Sequence, residues 1–108
     1  MDYKFITANM GTVELSTVTE YTDGTVDIDA FIEGNGARKT FYEIDDPYEV
    51  FEWLISEGVE FENDRSMWFN VHYLAGVMID GDATRDGLLS EMAAHDDAFF
   101  ADWRGYWF

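Results

Sequence analysis

A chain of 108 residues without cysteine is one domain's worth of polypeptide, and it excludes disulfides, thiolate nucleophiles and cysteine-based zinc sites. Six bases face 23 acids, a formal charge of −17, where a small domain commonly carries ~2–8 net charges. Direct binding to nucleic acid or to an anionic lipid surface is therefore disfavoured, and the natural partners are cationic: metal ions, basic protein surfaces or concentrated salt.

Hydrophobic residues make up 47% of the chain and aromatics 18%, ample for a core and unlike a disordered acidic segment. No apolar run approaches the ~20 residues of a membrane span. The N-terminal MDYKFITAN has no long apolar stretch of the kind a secretory signal needs. These features fit a cytoplasmic protein.

Residues 2–8 read as a strand by aromatic and β-branched content, and Asn9-Met10-Gly11 as a turn. Residues 12–20 alternate apolar and polar positions. Thr22-Asp23-Gly24 marks a hairpin, and 25–33 alternate again, with Val26, Ile28, Ala30 and Ile32 inward and Asp27, Asp29, Phe31 and Glu33 outward. Gly34-Asn35-Gly36 turns the chain into a fourth strand over 37–44. Four strands joined by short turns predict an antiparallel meander with one wet face.

A helix over 47–57 follows. Asp46 is placed to cap it, Pro47 suits the first helical position, Glu49 completes a capping box, and Gly58 supplies the stop. Tyr48, Val50, Phe51, Leu54 and Ile55 form the core side of its wheel. Residues 59–63 and 66–74 alternate and are expected as two further strands; 75–79 fit strand or turn. After a polar loop at 80–86, Asp82 or Thr84 caps a second helix over 85–104, which Gly105 ends. The apolar tail Tyr106-Trp107-Phe108 is expected to pack on the domain or a partner. The predicted fold is α+β: an antiparallel sheet of four to six strands packed against two helices, in a single domain spanning residues 1–108.

The candidate chemistry is sparse. Val77–Gly87 places D-x-D-x-T after a hydrophobic stretch and resembles the nucleophile motif of haloacid-dehalogenase-type phosphatases, which implies Asp80 as nucleophile and Asp82 as acid/base. Such enzymes build a Rossmann-like sheet after the motif, and only 28 residues follow Asp80. The same stretch fits a calcium-loop template through Asp80, Asp82, Thr84, Asp86 and Glu91, but Arg85 stands where the template needs glycine. His72 and His95 lack a convincing second metal ligand at helical spacing, and no serine sits in G-x-S-x-G. Neither an enzyme, a cofactor nor a metal site is expected.

The charge pattern remains. No base lies between Lys4 and Arg38, or between Lys39 and Arg65. Acids two apart on a strand are ~6.6–6.8 Å apart, and acids three or four apart on a helix ~5–6 Å, the scale on which a nucleic acid displays its phosphates. A rigid surface can thus offer carboxylates to a groove built for phosphates. The residues expected to contact such a partner are Asp27, Asp29 and Glu33 on the third strand and Asp45, Asp46, Glu49 and Glu52 on the helix start and outer face, with Glu57, Glu60 and Glu62 as a second tier. Phe31 and Trp107 are candidate apolar anchors.

Phage-encoded inhibitors of restriction, CRISPR effectors and DNA repair share this size and charge as a class. The expected function is therefore a DNA mimic, an anti-CRISPR or anti-restriction protein acting in the cytoplasm of a host cell. It would bind the basic surface of a nucleic-acid-binding protein, with no nucleic acid or membrane bound directly, and a dimer is compatible with its exposed aromatics. The competing expectations are an acidic structural or halophilic domain, and a calcium-binding module through Asp80–Glu91.

Overall fold

Four strands run in sequence order across one antiparallel sheet: β1 (Asp2–Ile6), β2 (Thr12–Glu20), β3 (Val26–Ile32) and β4 (Arg38–Ile44). In this computed structural model residues 2–80 and 84–107 are described, with 104–107 described by backbone alone. The inner face of the sheet is the predicted one. Val13, Leu15, Ile28, Ala30 and Ile32 are fully buried, and Phe5 and Phe41 nearly so.

Helix α1 (Tyr48–Ser56) lays Val50, Phe51 and Leu54 on that face. Phe51 stacks on Phe5 and Phe61 at 6.2 and 5.9 Å, and Trp53 meets Phe41 edge-on at 5.9 Å. Asp46 accepts the Tyr48 N–H at 2.9 Å, but Pro47 occupies the cap position and Glu49 makes no reciprocal bond, so the capping box is not formed. Gly58 ends the helix as expected. Its φ of +91° lets its N–H reach the Ile55 carbonyl while the Val59 N–H reaches that of Leu54, the paired bonds of a Schellman stop.

The two additional strands are not formed, and the sheet has four strands. Residues 59–63 are irregular, and Asp64–Tyr73 is a helix, α2. Asn63 caps it by accepting the Ser66 N–H at 2.8 Å. A helix is favoured because Met67, Val71, Leu74 and Met78 recur at helical spacing and all enter the main core. Trp68 and Phe69 point the other way, into a second cluster with Leu88 and Phe100. The helix is apolar on both sides because it lies between two layers, and that masks its periodicity.

A π-helical turn, Leu74–Ile79, continues α2. The expected single helix over 85–104 is two: α3 (Arg85–Ala93), capped by Thr84, and α4 (Asp97–Trp107), where Asp96 accepts the Phe99 N–H at 2.9 Å. Gly105 does not stop α4, whose backbone continues to Trp107. Among the described residues four α-helices and the π-helical turn thus stand beside the sheet, and none of these helices is long and apolar enough to cross a membrane.

Candidate functional site

The outer face of the sheet carries three of the nominated carboxylates, and the structure gives each a structural partner. Asp27 was expected to face solvent as a contact residue; it is only 5% exposed. The cause is a pair of irregularities around it. On one side β2 inserts Val18 between the partners of Ile28 and Asp27, and on the other β4 inserts an extra residue between the partners of Ile28 and Val26. The second bulge puts Glu43 at φ +51°, the left-handed region that disfavours any side chain. Asp27 holds this bend: its Oδ1 accepts the Glu43 N–H and its Oδ2 the Tyr21 hydroxyl, both at 2.8 Å. The hydrogen bond to Asp27 favours the protonated phenol and raises the pKa of Tyr21.

Asp29 lies 3.5 Å from Arg38 Nε and accepts the Thr40 hydroxyl at 3.4 Å. The Arg38 guanidinium also covers Phe31, 4.9 Å from the ring centre. Glu33 takes the Thr12 N–H at 3.1 Å. Lys4 pairs with Glu14 across β1 and β2 at 2.9 Å. The outer sheet face is therefore a surface of mixed sign, and its acids are largely spoken for.

The other side of the domain differs. Asp45, Asp46, Glu49, Glu52, Glu57, Glu60 and Glu62 are all exposed. Asp46 and Glu57 have neutral donors, the Tyr48 N–H and the Asn35 amide. Among the described residues the ion pairs involve Glu14, Asp29 and Asp97 and none of these seven. Because α1 buries Val50, Phe51 and Leu54 against the inner sheet face, its carboxylates point away from the sheet. The strand and helix acids, expected to form one surface, lie on opposite faces of the domain.

One end joins them in part. Asn35, in the β3–β4 turn, bonds Glu57, and Asn9, in the β1–β2 turn, accepts the Glu60 N–H and donates to the Gly58 carbonyl. These asparagines fix the exit of α1 against the turns and bring Glu33 to the same end as Glu57 and Glu60. The pattern of turn asparagines was visible in the sequence, but nothing there named their partners.

No protein-family profile matches the chain, and neither does any curated protein or solved structure. The site stands on its geometry. Among the described residues no three His, Asp or Glu side chains are grouped to hold a metal ion. Thr84 of the calcium template serves as a helix cap, its hydroxyl accepting the Gly87 N–H at 3.1 Å, while Asp82 lies outside the described residues, as does the side chain of Trp107.

Proposed function

We propose that this domain inserts its α1 face into the cationic nucleic-acid-binding groove of another protein, its carboxylates standing where phosphates would. The observation that carries this reading is the run Asp45–Glu62, which presents seven exposed carboxylates and no base. A partner's Lys and Arg side chains would meet acceptors already held on a folded helix and its flanks, forming charge-assisted bonds with fast, salt-sensitive association. In its most concrete form the protein is an anti-CRISPR or anti-restriction inhibitor of a phage or mobile element. Asp27, Asp29 and Glu33 move from the contact set to the scaffold.

Competition with DNA for a candidate nuclease or CRISPR complex, measured over a salt series, tests the proposal. Glu49→Lys with Glu52→Lys should weaken inhibition at least tenfold, equivalent to ~1.4 kcal/mol of lost contact, while Asp29→Lys on the opposite face should leave it within a few fold. Inhibition that is indifferent to salt, or more sensitive to Asp29 than to Glu49 and Glu52, would refute it.

A further inference from the structure

Helices α3 and α4 make their principal contacts with α2 rather than with the sheet. The attachment is a narrow seam. Trp68 and Phe69 of α2 meet Leu88 of α3 and Phe100 of α4, and Trp103 of α4 reaches the edge of the main core. At one end Arg65 acts as a clasp. Its Nη2 bonds Asp97 Oδ1 at 2.9 Å, its guanidinium lies 4.5 Å from the Phe100 ring centre, and it approaches the Met92 and His95 carbonyls at 3.5 Å.

His72 sits in this seam. Its ring lies 4.3 Å from that of Trp68, one turn earlier on α2, and 6.1 Å from Trp103 of α4. Its Nε2 is buried with no hydrogen-bond partner among the described residues. A neutral imidazole tolerates such a position better than a cation, which places an N–H and part of a full charge there with no acceptor. The charged and titratable groups around it offer little compensation. Glu91 of α3 attracts the cation, but it is exposed and screened. His95, in the α3–α4 link, meets Trp68 edge-on at 5.9 Å. On α4, Asp97 is held by Arg65 of α2 and Asp102 is exposed. The tilted indole of Trp68 supplies only a partial cation–π contact. Desolvation outweighs Glu91, and the imidazole is held below its ordinary pKa.

We propose that α3 and α4 form a flap that acid releases, with His72 protonation as the trigger. A detached imidazole takes its proton near the ordinary ~6.5, whereas the docked one takes it at lower pH. In the interval the detached state binds more protons, so docking weakens as pH falls.

Hydrogen exchange on the full chain between pH 7.5 and 5.0, corrected for intrinsic rates, tests this. Amides of α3 and α4 should lose protection relative to the sheet, by up to ~10-fold per pH unit below ~6.5. His72→Phe, which keeps an aromatic ring in the seam, and His72→Gln, which is polar and does not titrate, should each abolish the pH dependence; either variant that folds gives the answer. Persistence of the response in these variants, equal loss of protection in the sheet, or no loss at all would overturn the proposal.

Discussion

Replacing Asp27 with Ala separates a surface acid from a structural one. The buried carboxylate accepts the N–H of Glu43, whose backbone sits in a left-handed conformation at φ +51°. Truncation removes the acceptor and the device that holds the bulge. A hydrogen bond to a charged group contributes ~1.5–3 kcal/mol. Tyr21 also loses its partner, but it is exposed and water replaces the bond. The expected loss is therefore ~1.5–3 kcal/mol, or about 6–20 °C in Tm for a domain of this size, read by urea and thermal unfolding. Asp27→Asn, which keeps an acceptor oxygen for Glu43, should recover a large part. A loss below ~0.5 kcal/mol, the ordinary range for surface substitutions, would refute the structural role of Asp27.

Glu43→Gly should raise stability by up to ~1 kcal/mol in the same unfolding assays, since glycine takes a positive φ without steric cost. Burial pushes the pKa of Tyr3, whose hydroxyl donates to Asn70, up to about 12 against a smaller opposing pull from Arg85; ultraviolet titration should show one phenol ionising well after the exposed ones. The folded pKa lies above the unfolded value of ~10, so Tyr3 contributes stability that is present below pH ~10 and lost as pH rises through its folded pKa, and Tyr3→Phe should flatten that alkaline loss. Salt should raise Tm between 10 and 500 mM by screening the carboxylates of Asp45–Glu62, with the rise largely complete by ~1 M, where the Debye length is ~3 Å; a chain that folds only in molar salt would favour the halophilic reading instead.

The sheet was legible because each strand lies between turn residues and its inward positions alternate. The expected strands at 12–20, 25–33 and 37–44 match β2, β3 and β4 to within a residue at most ends. Alternation failed at Asp27 because it presumes unbroken pairing, and the two bulges around that residue alter which side chains are covered. It failed again at residues 66–74, where Met67, Phe69, Val71 and Tyr73 fit a two-residue period while Met67, Val71, Leu74 and Met78 fit a helical one. Length and capping favoured the helix: Asn63 and Asp64 stand where a helix start wants them. The acidic surface was legible as composition but not as geometry. Residues of β3 and α1 both read as outward, and only the packing of α1 on the inner sheet face reveals that outward means opposite directions.

The positive charges explain why the α1 face stays negative. Lys4 pairs with Glu14, Arg38 with Asp29 and Arg65 with Asp97. Arg38, Arg65, Lys39 and Arg85 lie over Phe31, Phe100, Phe41 and Phe69, at 4.9, 4.5, 5.0 and 5.5 Å. Every base with a described side chain is thus engaged within the fold, on the sheet or along the contacts of α2. Such contacts are individually modest, yet they decide where the charge of the molecule sits, because a cation committed to Asp29 or Phe100 cannot neutralise Glu49 or Glu52. A uniformly solvated acidic surface would gain from interspersed bases, which relieve repulsion between neighbouring carboxylates. Here the repulsion is left standing on one helix and its flanks, and a partner supplying lysine and arginine would relieve it upon docking.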